Sequence, residues 1–161
     1  MKRDAIVSFD VSRHLKARKL EQEVENRTAY TIDTAELNIY ETQHIAEKVE
    51  LTFSSPVLAS MIRGKKVMHL PGTPSFDFLP GESVIVPGDE TMRIDFPEAQ
   101  IQNPTQCLAL AIAPDKVRQV TDLLNDRTPL VDTQQGWQFG QHNFFLTNDV
   151  PIHQLIARLV Y

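Results

Sequence analysis

Between residues 28 and 113 apolar residues recur at every second position, whereas on either side they repeat at three and four. Leu37, Ile39 and Glu41 fall on one side of an extended segment and Asn38, Tyr40 and Thr42 on the other. Val49, Leu51 and Phe53 repeat the pattern, with Lys48, Glu50 and Thr52 facing away. Ser54-Ser55-Pro56 breaks the run. Residues 57–63 and 65–70 then read as two strands joined by a tight turn at Gly64, which tolerates positive φ. Pro80-Gly81 and Pro87-Gly88 suit type II turns and bracket a short strand within 82–86. Phe76 and Phe78 precede the first of these turns, and Met92, Ile94 and Phe96 follow the second. Residues 105–113 form a further apolar strand. Short strands separated by turns predict a barrel or sandwich and exclude a succession of βαβ units.

The flanks read as helices. Residues 12–26 predict a short polar helix, capped by Ser12, with Leu15, Leu20 and Val24 as its sparse stripe. After Ala113, Pro114 suits a first helical turn and Asp115 its positive end. Val117, Val120, Leu123 and Leu124 then give an apolar stripe, predicting a helix over 114–125. Residues 136–146, with Trp137, Phe139, Phe144 and Phe145, predict a strand or a hairpin-like arm. Asn148 or Asp149 caps a helix starting near Pro151, whose apolar positions are Ile152, Leu155, Ile156, Leu159 and Val160. That pattern runs to Tyr161 with no stop signal, so the chain is expected to be a piece of a longer protein. The resulting division is a helical arm over 1–27, a β-barrel over 28–148 that includes the helix at 114–125, and the start of a linker or dimerisation helix over 149–161.

Composition narrows the functional classes. The chain has 161 residues, 42% of them apolar and 23% charged, enough for one domain with its own core. Its formal charge is -5, and the seven basic residues among the first 30 are offset by nine basic against sixteen acidic residues in the remainder. This balance excludes a non-specific nucleic-acid clamp. The single Cys107 cannot close an internal disulfide, which fits a cytoplasmic location, and no apolar run reaches the length of a bilayer span. Nucleotide-binding glycine loops, zinc patterns and nucleophile elbows are missing from the sequence. Five histidines are scattered without metal-ligand spacing, and Cys107 lies in an apolar strand as a buried, inert thiol. The acids cluster beside turns, as solvent-facing charge. Arg63, Lys65 and Lys66 flank Gly64 and read as solvated turn charge, with binding of an anionic or carboxylate-bearing ligand, or contact with a neighbouring domain, as the alternatives. His69 and Arg93 lie on polar phases of neighbouring strands; with Tyr40 and Arg63 they are the candidate polar wall of a ligand pocket inside a barrel.

The block SSPVLASMIRGKKVMHL at 54–70 and the segments FLPGESVIVP at 78–87, MRIDFP at 92–97 and NPTQCLAL at 103–110 carry a family likeness. Together they resemble the N-terminal domain of AraC/XylS-type transcriptional regulators, over about residues 28–161. The resemblance implies a mainly β, cupin-like double-stranded β-helix, or jelly-roll barrel, with an N-terminal helix and C-terminal helices. It further implies a non-catalytic domain that senses a small-molecule effector, forms a homodimer, or does both. DNA would be contacted only through a helix-turn-helix domain outside this chain, and no membrane partner is implied. The candidate interface residues are Val117, Val120, Leu124, Leu155, Ile156 and Leu159. In metal-binding cupins the second motif spaces Gly, Pro, Gly and His. Gly81 and Pro87 keep that spacing, but Asp89 and Met92 stand at the last two places, and the chain has no His-x-His pair. A thioether replaces a nitrogen ligand, so no metal and no cofactor are expected. The alternative is a small cupin enzyme, an isomerase or a metal-dependent oxygenase, with a ligand cluster assembled by the fold. A third reading is a pure dimerisation module whose barrel is filled with side chains.

Overall fold

The computed structural model describes residues 25–131, 135–140 and 144–160. Residues 12–24 of the predicted N-terminal helix lie outside the described residues. Its last two, Glu25 and Asn26, instead open a strand, as does Arg27 of the expected arm.

Strands β1 (Glu25–Ile32) and β2 (Ala35–Thr42) form a hairpin whose register pairs Ile32 with Ala35, leaving Asp33-Thr34 as a two-residue loop. They are followed by β3 (Ala46–Thr52), β4 (Val57–Arg63), β5 (Lys66–His69), β6 (Phe76–Phe78), β7 (Ser83–Val86), β8 (Thr91–Phe96) and β9 (Thr105–Ile112). Helix α1 (Pro114–Arg127), the short β10 (Phe145–Thr147) and helix α2 (Val150–Val160) complete the order. All pairings are antiparallel. One sheet has six strands in the order β1-β2-β9-β4-β7-β10, and the other has four in the order β3-β8-β5-β6.

The two sheets face each other across one apolar interior. Tyr40, Val57, Ala59, Met61, Val84, Val86, Cys107 and Ala109 enter it from the six-stranded sheet. Met68, Phe78, Met92, Ile94 and Phe96 meet them from the four-stranded one. Val49, Leu51 and Phe53 pack on the same cluster, on the phase that alternation assigns them. The molecule is thus a mostly β, cupin-type double-stranded β-helix with two helices. The six-stranded sheet also buries its outer face. There α2 lays Ile156 and Val160 on Ile39 and Leu108, with Leu37, Leu58 and Ile62 packed around them. This is why Asn38, Ile39 and Tyr40 are buried in succession, where simple alternation predicts one wet face. Asp149 caps α2 by accepting the Ile152 N–H at 3.1 Å.

Three connections differ from their sequence-based expectation. Gly64, at φ +79, is not a hairpin turn: β4 pairs with β7 and β9, while β5 pairs with β6 and β8. The glycine carries the chain from one sheet to the other, and a Cβ there would stand 2.7 Å from Thr105 Oγ1. At Pro80-Gly81 the glycine has the expected positive φ, but at Pro87-Gly88 positive φ passes to Asp89 (φ 63). Gly88 is required for space instead, since a Cβ would lie 2.9 Å from the Ser54 carbonyl oxygen. Within 136–146 the described strand is confined to β10, and residues 135–140 run beside α1. There Trp137 is fixed by Asn125, which accepts its backbone N–H at 2.6 Å and donates to its carbonyl at 3.0 Å. The Trp137 indole N–H donates to the Thr128 carbonyl at 2.6 Å.

Candidate functional site

Strand β5 carries the feature that most sets the barrel interior apart. Lys66 and Met68 share the inward phase, and both are buried. The register pairs Lys66 with Phe78 and Met68 with Ile94, so the lysine stem runs among interior apolar residues. Lys66 is 4% exposed, which makes it an ammonium group inside the barrel and not the solvated turn charge expected from its neighbours Arg63 and Lys65. Its Nζ donates to Cys107 Sγ at 2.9 Å and lies 3.5 Å from Glu25 Oε1 at the start of β1. It also stands 4.9 Å from the centre of the Phe96 ring and 6.0 Å from that of Tyr40.

Electrostatics decide the protonation states of this group. Burial by itself pulls Lys66 toward neutrality, but the Cys107 sulfur and the Glu25 carboxylate outweigh it and hold its pKa above the ordinary 10.5. Burial pushes the Cys107 thiol up from 9.0. At neutral pH the sulfur is therefore a protonated thiol accepting a hydrogen bond, and Glu25 is the only carboxylate paired with Lys66 among the described residues. Burial likewise raises the Tyr40 phenol, which stays neutral. The remaining void is small. A cavity of about 20 Å³, room for one water, is lined by Lys66, Cys107 and Tyr40 together with Phe53, Met68, Phe78 and Met92.

The four residues expected to form a polar pocket wall are not brought together. Tyr40 faces the interior. His69 and Arg93 are register partners on the outer face of the four-stranded sheet, one residue out of phase with Met68 and Met92. There the His69 Nε2–H donates to Asp95 at 2.7 Å, and Arg93 donates to Glu50 at 3.1 Å. Asp95 also accepts the Lys48 backbone N–H at 2.7 Å, across a register irregularity where Lys48 has φ 54. These bonds, led by the one from His69, hold the Asp95 carboxyl below its ordinary 3.8. Arg63 is exposed at the end of β4 and donates to Asn103 at 3.0 Å. Lys66 was read only as one of three basic residues at the Gly64 turn; the signal for its inward placement was its parity with Met68 and Leu70.

The interior donor set does not suit a metal ion. Met92, standing where metal-binding cupins place a histidine, is buried in the interior with Met68, the Cys107 thiol and the Lys66 ammonium. An ammonium beside the only thiol repels a cation, and two thioethers are weak, soft ligands. Among the described residues, no three His, Cys, Asp or Glu side chains form a group able to hold a metal.

The second unusual surface is α1. None of its 14 residues is buried, although Val120, Leu123 and Leu124 are large and apolar. Val117, Val120 and Leu124 form, with Ile112, Trp137 and Phe139, an apolar groove of about 440 Å³. The interface candidates on α2 divide differently. Ile156 is 2% exposed beneath the helix and cannot reach a partner, because the period of 3.6 turns it onto Ile39 and Leu108. Leu155 and Leu159 are exposed, and Leu159 lines a separate groove of about 310 Å³ with Ile32, Leu37 and Leu110.

The profile described as AraC-type transcriptional regulator N-terminus matches residues 33–160. The chain belongs to that family. Among solved structures, this AraC-type domain is similar to ToxT from Vibrio cholerae, at 8% identity and a TM-score of 0.58. That match covers 80% of the domain, which spans 48% of the ToxT chain. It is also similar to vicilin from Corylus avellana, at 12% identity and a TM-score of 0.50, over 63% of this chain and 32% of that one. A cupin superfamily protein from Desulfitobacterium hafniense matches at 15% identity and a TM-score of 0.49, over 70% of this chain and 93% of that one. At these identities the likeness concerns the fold alone. No curated protein matches the sequence. Among the described residues, no helix of the AraC-type domain is long and apolar enough to cross a membrane.

Proposed function

We propose that this domain is the non-catalytic regulatory part of an AraC-type transcriptional regulator, and that it homodimerises through α1. It works in the cytoplasm, where a helix-turn-helix domain outside this chain contacts DNA. The observation that carries this reading is the α1 face: Val117, Val120 and Leu124 line an apolar groove on a helix with no buried residue. An apolar stripe left in water is unfavourable by roughly 25 cal/mol per Å², which a second copy removes. The helix is suited to antiparallel self-pairing, because Asp115 lies in its first turn and Arg127 in its last. A two-fold axis sets these opposite charges across from each other. The packed barrel supports dimerisation as the primary role, since the cavity of about 20 Å³ admits no effector without rearrangement. Sedimentation velocity tests the reading. The chain is expected to sediment as a dimer and the Leu124→Glu variant as a monomer; a monomeric parent chain overturns it.

An effector-sensing role is favoured separately by one observation, the paired ammonium of Lys66 inside the barrel. Removing such a charge from water is costly, and a purely structural core is stabilised equally well by an apolar residue of that size. Its place in the fold is consistent with recognition of a ligand.

A further inference from the structure

A cleft of about 570 Å³ lies between α1 and the connections at one end of the barrel, apart from the interior that holds Lys66. From its walls we infer a binding site for an aliphatic diamine, held as a dication between Asp89 and Asp122 across the face of Trp137.

The two walls come from different parts of the fold. On the barrel side, Ser54 follows β3 and Asp89 follows β7; the Asp89 N–H donates to the Phe53 carbonyl at 2.7 Å and ties the two connections together. On the helix side, the 3.6-residue period brings Arg118, Asp122 and Asn125 to one face of α1. Val120 and Leu124 turn to the neighbouring face and line the apolar groove instead.

Trp137 makes this cleft a built site. It is the only tryptophan in the chain and is 37% exposed, yet it is fixed at three points. The Asn125 amide accepts its backbone N–H and donates to its carbonyl, while its indole N–H donates to the Thr128 carbonyl. Gly136, at φ 63, permits this approach, since a Cβ there would stand 2.5 Å from Asn125 Oδ1. A ring held in place beforehand binds a ligand with little loss of conformational freedom. With its N–H already engaged, the indole offers the cleft its π face, which attracts cations.

Charge then selects the ligand. Asp89 and Asp122 stand on opposite walls, and neither has an ion-pair partner among the described residues. Arg118 is the one basic side chain lining the cleft, and its guanidinium donates to Asp115. Two carboxylates match two ammonium groups, and the methylene chain between these can lie on the indole. An anion meets net negative charge here, and a neutral polyol leaves both carboxylates unbalanced. Both aspartates are exposed, so each contact contributes little alone and binding draws on the pair and the ring together. The bound diamine links α1 to the barrel.

The single tryptophan is a reporter for the test. The 161-residue chain is titrated with putrescine, and with butanediol as its uncharged analogue, by tryptophan fluorescence and by calorimetry. Putrescine is expected to bind saturably and change the Trp137 emission, and butanediol to do neither. Asp122→Asn and Asp89→Asn should each weaken putrescine binding about threefold, and the double variant about tenfold. Added salt should weaken it in the parent chain. Circular dichroism establishes that each variant is folded, and Asn tolerates the positive φ at position 89. Absence of saturable putrescine binding by both readouts overturns the inference, as does binding indifferent to the double substitution. Butanediol bound as tightly as putrescine overturns the diamine assignment. These outcomes are separate from the sedimentation test of dimerisation.

Discussion

Helix α2 lays Ile156 and Val160 against Ile39 and Leu108 of the six-stranded sheet, whereas helix α1 holds Val117, Val120 and Leu124 with none of its residues buried. Both helices are amphipathic and both follow a strand of the barrel, so the difference lies in what the fold offers each of them. The outer face of β2, β9 and β4 is apolar, through Leu37, Ile39, Leu108, Leu58 and Ile62, and α2 fills it. Among the described residues nothing comparable lies under α1, whose apolar side meets Ile112, Trp137 and Phe139 at the rim of a groove. One stripe is therefore satisfied within the chain, and the other is the one for which we propose a second chain. A stripe read from sequence identifies a face to be covered; only the rest of the fold decides who covers it.

Substitutions on the two helices should separate these roles. The largest effect on stability is expected for Ile156→Ala, which opens a cavity between α2 and the sheet and should lower unfolding free energy by about 2–5 kcal/mol. Denaturant melts at fixed protein concentration measure it, and a loss below about 1 kcal/mol would mean that α2 is not part of the folded core. Gly64→Ala comes next, at about 1–3 kcal/mol, because it forces a side chain into positive φ and against Thr105 where the chain crosses between sheets. On α1, by contrast, Leu124→Glu should change the stability of the dissociated chain by no more than about 0.5 kcal/mol. The smallest effect belongs to the outer face of the four-stranded sheet. Asp95 is held below its ordinary 3.8, so its contribution is complete above that pH and disappears as pH falls through the lowered folded value. The parent chain should therefore exceed Asp95→Asn in stability at neutral pH, with the gap closing in acid below about pH 4. A gap that widens on acidification would reverse the assignment.

The legibility of the sequence follows the same division. Strands of the four-stranded sheet bury one face, so Met92, Ile94 and Phe96 announce their phase directly. The central strands β2, β9 and β4 of the six-stranded sheet bury both faces; β9 reads as a near-continuous apolar run, and its outer cover by α2 is a long-range fact that no local pattern contains. The Gly64 connection was visible as a break, but pairing partners depend on topology and not on adjacency. The pocket wall drawn from Tyr40, Arg63, His69 and Arg93 failed because polar residues on a strand read as inward or outward only once parity is fixed by their neighbours. Lys66 was obscured by two other basic residues within three positions, although Met68 and Leu70 fix its phase. The absence of a cupin metal motif was legible in Met92; the interior pairing of Lys66 with Glu25, 41 residues away, was not.

The central claim is that α1 is covered by a second copy of this domain while α2 is covered by its own sheet. Hydrogen–deuterium exchange of the 161-residue chain, followed by mass spectrometry across a range of protein concentrations, addresses it most directly. The account predicts that protection over residues 117–124 rises with concentration and is lost in Leu124→Glu, while protection over 152–160 is the same throughout. Protection of α1 that is independent of concentration, or a concentration dependence confined to α2, would contradict it.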